Sequence, residues 1–274
     1  MIVRQSDLKS WARCPLQWRF EHIDGVPREQ GGASVFGTVM HLAVLKLETS
    51  GDLEATTQWF KQAWTYPADP VTGVGPDQGR IDYWERGQSH KKGFADGERI
   101  LRDWWSIIQW ETDLVLAREH SFEVDIGDGH RLRGTADKIC IRYNAKLDRL
   151  VLLISDYKTS AKRPTYDYLE DDLQFSAYGY ASLKKEFWTG IQNGERLWRD
   201  YLLYPRWGEW VHLKGPMRLD AGERRDVHYN RLVMAVDAFA LSVDLRVFVP
   251  QISGETCKWC PHRKHCGLPP VINP

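Results

Sequence analysis

The chain has 274 residues and a mass of 31.8 kDa, one large domain or two small ones at roughly 100 to 200 residues per domain. With 42% hydrophobic and 27% charged residues, it has a globular composition, which excludes disorder, collagen and coiled coil as whole-chain descriptions. Lys plus Arg and Asp plus Glu both number 37, so no global basic field advertises nucleic acid or an acidic membrane, and any nucleic-acid site must be a local patch.

The longest apolar stretches, at 151–154 and 232–236, fall far short of the roughly 20 residues needed to cross a bilayer. The N-terminus carries Arg4, Asp7, Lys9 and Arg13 and has no continuous apolar core, so it does not read as a secretory signal. A cytoplasmic protein without a membrane partner is expected. Five cysteines in such a chain point to reduced thiols or metal ligands and not to a disulfide framework.

In chain order, Ser6 or Asp7 is placed to cap a first helix through Leu8, Trp11 and Ala12, interrupted or ended at Cys14-Pro15. Gly31-Gly32 closes a polar segment, and Val35, Phe36, Val39, Met40, Leu42, Ala43, Leu45 and Leu47 predict a mostly apolar, well-buried helix. Residues 50–112 read as a helical insertion, helical at both ends and broken by a Pro/Gly-rich run at 67–79. Then the period changes. Residues 122–126, the turn Gly127-Asp128-Gly129, residues 131–143, a polar turn near Asn144 and residues 150–157 predict a three-strand meander. A helix over 166–187, strands at 197–204 and 209–213, and a long helix over 219–244 follow. The expected fold is α/β, a central mixed sheet flanked by helices. The C-terminal end is polar, holds three of the five cysteines and finishes in Pro-rich sequence.

The most informative segment is Val151-Leu152-Leu153-Ile154-Ser155-Asp156-Tyr157-Lys158-Thr159. Four consecutive apolar residues imply a strand buried on both faces. Side chains alternate along a strand, so Asp156 and Lys158 project to one side and Tyr157 to the other. An ion pair at a strand end would account for this pair alone. One strand earlier, however, Asp137 interrupts the half-apolar run Gly134-Thr135-Ala136-Asp137-Lys138-Ile139-Cys140. Two carboxylates at about 4 Å and an effective dielectric near 20 repel by roughly 4 kcal/mol, so their convergence needs a cation or a raised pKa. Mg or Mn prefers oxygen ligands, keeps waters and stabilises charge on a phosphoryl oxygen; Lys158 could serve without metal.

Asp137, a hairpin, then Asp156-Tyr157-Lys158 resembles the PD-(D/E)xK nuclease superfamily. Gly37-Thr38-Val39-Met40-His41 upstream and Gln174-Phe175-Ser176-Ala177-Tyr178 downstream narrow the resemblance to its RecB-like branch. The resemblance implies a restriction-endonuclease-like core in a single domain, 1–274. It further implies that His41, Asp137, Asp156 and the carbonyl of Tyr157 bind metal, while Lys158 orients or activates water. Gln174 and Tyr178, four apart on one helix face, are implied to position the scissile strand or the lysine; packing would also explain them. Glu123, on the first meander strand, is a candidate supporting group for the metal ligands.

Cys257, Cys260 and Cys266 give Cys-x2-Cys-x5-Cys, three thiolates within reach of one centre. Zinc completed by His262 or His265 suits this spacing. The sequence also resembles RecB-like nucleases with an iron–sulfur cluster, such as the AddB-type helicase-nuclease subunits and the Cas-four nucleases of CRISPR adaptation. That resemblance implies Cys14 as the fourth ligand of a 4Fe-4S cluster and a cluster subdomain of residues 1–20 plus 250–274. Joining Cys14 to Cys257 would close a loop of about 240 residues, worth roughly 5 kcal/mol by loop entropy. Cys140, inside a strand, is then a small core residue.

Arg131, Arg133, Lys162, Arg163, Lys184 and Lys185 are candidate phosphate contacts, and Trp59, Trp64, Trp84, Trp104 and Trp105 are candidate stacking platforms or core residues. The function implied is a Mg- or Mn-dependent deoxyribonuclease, preferably an exonuclease on single-stranded DNA or free ends, in repair, recombination or CRISPR adaptation. A helicase, recombinase or CRISPR integrase would be its partner. The alternative is a binding module of the same fold without activity, although every expected catalytic position is filled.

Overall fold

The computed structural model describes residues 1–28, 30–65, 81–84, 87–160, 162–215, 217–253, 256–257 and 260–267. The Pro/Gly-rich run at 67–79 and the Pro-rich end of the chain lie outside the described residues. A short strand β1 (Ile2–Arg4) leads into α1 (Gln5–Arg13). Asp7 does not cap this helix; from its third position its carboxylate reaches back to accept the Arg4 amide at 3.0 Å. Pro15 needs no donor at the first position of α2 (Pro15–His22), which leaves Cys14 extended at the joint.

The helices α3 (Gly32–Ser50), α4 (Leu53–Thr65) and α5 (His90–Ile108) pack as one layer around Val39, Met40, Phe60, Trp64, Ile100 and Trp104. Gly93 and Gly97, one turn apart on α5, are what permits this: a Cβ at either would collide with Trp64 or Phe60. Tyr157, Val211 and Leu213 of the sheet join that core.

The meander is β2 (Leu114–Gly127), β3 (His130–Asn144) and β4 (Arg149–Lys158). Helices α6 (Tyr166–Glu170) and α7 (Leu173–Ala181), a 3-10 turn at Lys185–Trp188 and α8 (Gly194–Tyr201) then cross over to β5 (Arg206–His212). Strand β6 (Met217–Arg224) and helix α9 (Asp226–Asp244) follow. Among the described residues, six strands form one mixed sheet. β2 runs along one side of β3, while β1 and β4 lie end to end along the other; β4 pairs parallel with β5, and β5 antiparallel with β6. The main core, with Leu132, Ile139, Ile154, Phe175, Tyr178 and Phe239, fills the face covered by α1, α7 and α9.

Three expectations are corrected. The strand expected at 197–204 is mostly helix α8, because Trp198 and Tyr201, three apart on one helical face, both pack on the core, Tyr201 stacking on Trp188 at 4.5 Å. The helix expected from 219 begins only at Asp226, since residues 217–224 find a ladder on β5. The helix expected over 166–187 breaks at Asp172, whose carboxylate accepts the Gln174 amide at 2.9 Å and starts α7 afresh.

Candidate active site

The site is built where the rail beside β3 changes partner. β1 pairs with Arg131–Arg133 and β4 with β3 from Lys138 onward, so residues 134–137 fall between them. There the Asp137 side chain takes over the ladder's work, its carboxylate accepting the Tyr157 amide. The β3–β4 register, Lys138 opposite Ser155, brings Asp137 opposite Asp156 on the same face. The β2–β3 register, with Arg118 opposite Lys138 and His120 opposite Ala136, puts Glu119 opposite Asp137 from the other side. Three carboxylates thus stand in one row across three strands.

His41 arrives from α3. Gly37, one turn earlier, lets the helix approach the end of β4: a Cβ there would lie 3.1 Å from Thr159 Oγ1. His41 Nδ1 then lies 3.6 Å from Asp137 Oδ1. Ligand atoms of His41, Glu119 and Asp137 lie within 4.8 Å of one another. Hard oxygens plus one imidazole suit Mg or Mn.

Lys158 ion-pairs with Asp156 Oδ2. Gln174 Nε2 donates to Asp156 Oδ1 and to the Tyr178 hydroxyl at 2.7 Å, and that hydroxyl donates to the Thr135 carbonyl at 2.8 Å, in the gap between β1 and β4. Gln174 and Tyr178 therefore hold the lysine's partner. Burial pushes the Asp156 carboxyl up, and Asp137 adds to this against the pull of Lys158. Burial would lower Lys158, but Asp156 and Asp137 outweigh it and keep it protonated. In His41 too, burial is outweighed, here by the bond to Asp137 and its charge, and the net shift is upward. Burial and then Asp137 push Glu119 up to about 7. A bound divalent cation would reverse the logic for the acids.

Two clefts meet at Lys158. One, of about 390 Å³, is lined by Arg4, Lys9, Arg13, His22, Arg28 and Gln174 among others; the second, of about 500 Å³, by Lys162, Arg163, Tyr168 and Trp210. Lys9 borders both. Of the expected phosphate contacts only Lys162 and Arg163 lie here. Arg131 and Arg133 are ion-paired to Glu123, Lys184 lies 4.9 Å above the Tyr180 ring, and Lys185 pairs with Glu195 at 3.9 Å. The cations of α1 and its flanks carry no mark of this role in the sequence, because only the fold brings them to Lys158.

Glu123 is corrected: its carboxylate is taken by Arg131 and Arg133, six and four residues before Asp137 on β3, and Glu119 stands where a supporting acid was sought. Of the two roles expected of the tryptophans, packing is the one that the structure shows. Trp64 and Trp104 are core residues, Trp59 and Trp105 pack against that core, and Trp84 sits edge-on to Trp64. Cys140 is buried beside Val151 and Leu153, and burial pushes its thiol up to about 12.

Cys14, at the α1–α2 joint, is buried, and its sulfur accepts the Gln251 amide at 3.4 Å. Burial raises the Cys260 thiol, and the charges of Cys14, Cys266 and Cys257 all push the same way. The two ends of the chain therefore bring four thiols into one electrostatic neighbourhood. His262 turns its Nε2 to Glu21 of α2 at 3.2 Å.

Carboxylates, an imidazole and a paired ammonium meet at the end of a buried strand in an α/β sheet, a donor set suited to a divalent cation. The family description of the PD-(D/E)XK nuclease superfamily matches residues 4–267. The chain belongs to this superfamily, whose members are nucleases, generally hydrolytic and metal-dependent. No curated protein matches the sequence. The crystal structure of SSO0001 aligns over 97% of this chain and 85% of that one at 13% identity, with a TM-score of 0.36, a likeness too distant to bear on the chemistry. Among the described residues no helix is long and apolar enough to cross a membrane.

Proposed function

We propose that the protein is a Mg- or Mn-dependent deoxyribonuclease that hydrolyses phosphodiester bonds, acting as an exonuclease on single-stranded DNA in recombination, repair or CRISPR adaptation. The observation that carries the metal-dependent chemistry is the convergence of His41, Asp137, Asp156 and Lys158 at the meeting point of two clefts rich in Lys and Arg. The preference for single strands and free ends rests on the resemblance to cluster-bearing RecB-like nucleases.

In this reading Asp137 and His41, together with Asp156 and the Tyr157 carbonyl, hold the divalent ion. When bound, it supplies a water of lowered pKa and charge stabilisation at the phosphoryl oxygen. Lys158, kept as an ammonium by Asp156, offers positive charge to the scissile phosphate or orients the attacking water. Gln174 and Tyr178 fix Asp156, and so the lysine. Arg4, Lys9, Arg13 and Arg28 on one side and Lys162 and Arg163 on the other line a path for the phosphate backbone.

The cysteines support a 4Fe-4S cluster held by Cys14, Cys257, Cys260 and Cys266. The donor set, four thiols with the fourth from the far end of the chain, suits an iron–sulfur cluster.

The test is cleavage of end-labelled single-stranded and duplex DNA, linear and circular, with Mn and anaerobically purified protein, beside Asp156→Ala. Loss of linear single strands in the wild type alone is the expected result. Cutting of circles would make it an endonuclease. No cleavage under any condition would replace the reading with a binding module or a nuclease that needs a partner.

A further inference from the structure

Phosphate contacts carry no information about the bases. A preference for single strands calls for a surface on which an unpaired base can stack, and the tryptophans expected in that role are taken up in packing. Among the described residues the exposed aromatic side chains are Tyr83, Trp84, Trp110, Tyr143, Tyr166 and Tyr168, and of these only Tyr168 lines either cleft at Lys158.

Tyr168 stands on α6, whose back is fixed and whose front is open. Leu169, the next residue, is buried in the main core, and the carbonyls of Leu169 and Glu170 accept from Arg224 of β6. Thr165 caps the helix, its hydroxyl accepting the Tyr168 amide at 3.3 Å. Tyr168 itself remains 49% exposed, and Lys9 of α1 lies 5.7 Å from its ring centroid. A ring with few rotatable bonds on an anchored helix loses little entropy when it binds. The cleft beside it is lined by four cations, Lys9, Lys158, Lys162 and Arg163, and among the described residues of its lining there is no carboxylate. The cleft on the other side of Lys158 also contains Asp7 and Glu21. Charge complementarity therefore favours a phosphate backbone along the Tyr168 side.

We propose that Tyr168 is a nucleobase platform: an unpaired base stacks on its ring while the adjoining phosphates lie on Lys162 and Arg163, so that a strand is gripped beside Lys158 when its bases are free. This rests on the reading of the protein as a nuclease of single-stranded DNA and names the residue that selects the single strand. In a duplex each base is covered on both faces by its neighbours and along its edge by its partner, and freeing it costs a few kcal/mol. The ring then has nothing to stack on, while the cations still meet the backbone.

The test is fluorescence anisotropy of three labelled oligonucleotides, a single strand, an abasic strand of equal length and a blunt duplex, in EDTA and again in Ca²⁺, with wild type, Tyr168→Ala and Tyr168→Phe of the full chain. Melting temperatures identify the variants that remain folded. Tyr168→Ala is expected to weaken binding of the ordinary single strand by ~10-fold and to leave the abasic strand and the duplex unchanged. Tyr168→Phe, which keeps the ring, should bind all three as wild type does. Wild-type affinity of folded Tyr168→Ala for the single strand would overturn the proposal while leaving the nuclease reading intact. So would equal losses on all three oligonucleotides, or a loss in Tyr168→Phe as large as in Tyr168→Ala. A wild type that binds none of the three in either condition would instead overturn the nucleic-acid reading itself, and this proposal with it.

Discussion

Asp156 and Lys158 are the residues whose loss should separate chemistry from folding. Both sit at the end of β4, where the ladder to β3 has already given way to the Asp137–Tyr157 bond. Lys158→Ala should lower the cleavage rate by about 10²- to 10⁴-fold with an unchanged far-ultraviolet circular dichroism spectrum; a wild-type rate would remove the lysine from the mechanism. Glu119 provides a pH test. Its carboxyl is raised from 4.5 to about 7, so in that window the folded protein keeps a proton that the unfolded chain has released. In EDTA, stability should therefore fall as pH rises from 4.5 to 7. His41, raised by Asp137, acts with the same sign above its ordinary value: its contribution is complete below 6.5 and lost as pH rises through the folded value. Glu119→Gln cannot ionise and should flatten the slope of melting temperature against pH; slopes equal to wild type would show that Glu119 does not titrate there.

At the scale of elements, the site depends on α3, β2 and β4 staying in register with one another, and Glu48 ties them together. Its buried carboxylate accepts from the Tyr157 hydroxyl at 2.7 Å, the Trp104 indole at 3.0 Å and Arg118 Nε at 2.8 Å, joining α3 to β4, α5 and β2. Glu48→Ala leaves all three donors without their partner and should cost about 2–4 kcal/mol, read from the midpoint of urea unfolding. Since Arg118 adjoins Glu119 and Tyr157 adjoins Asp156, the same variant should also lower the cleavage rate. A midpoint within error of wild type would mean that the donors find water instead.

For the whole molecule, the expected staple joins Cys14, beside the basic face of α1, to the far end of the chain. Cys260→Ala should abolish the iron content of anaerobically purified protein, lower the soluble yield and reduce the melting temperature; full iron content would exclude Cys260 as a ligand. EDTA should stop cleavage and Mn or Mg restore it, while activity that persists in EDTA would exclude the cation-assisted mechanism. The zero net charge makes binding a property of the two clefts at Lys158, so charge reversal at Arg163 should weaken DNA binding and reduce its salt dependence. Reversal at Lys184, which lies over Tyr180, should leave both unchanged.

What the sequence determined by itself is what chain order and strand periodicity encode. The meander follows from the alternation and turn residues of 114–158, and the pairing of Asp156 with Lys158 from their spacing of two along a buried strand. His41 and Asp137 also meet as their order in the resemblance implies. The apolar runs near residues 197 and 219 were ambiguous because short segments of that kind satisfy helix and strand alike; their partners, Trp188 for α8 and β5 for β6, decided between them. Glu119 was illegible. Arg118-Glu119-His120 looks like any solvent-edge run, and only the β2–β3 register, a contact between residues 18 apart in sequence, lays it against Asp137. The same holds for the cations of α1, which tertiary packing alone carries to Lys158, whereas Cys14 was already implied by the resemblance. Local propensity cannot encode such meetings, because the free energy that enforces them resides in the burial of both cores and not in any one segment.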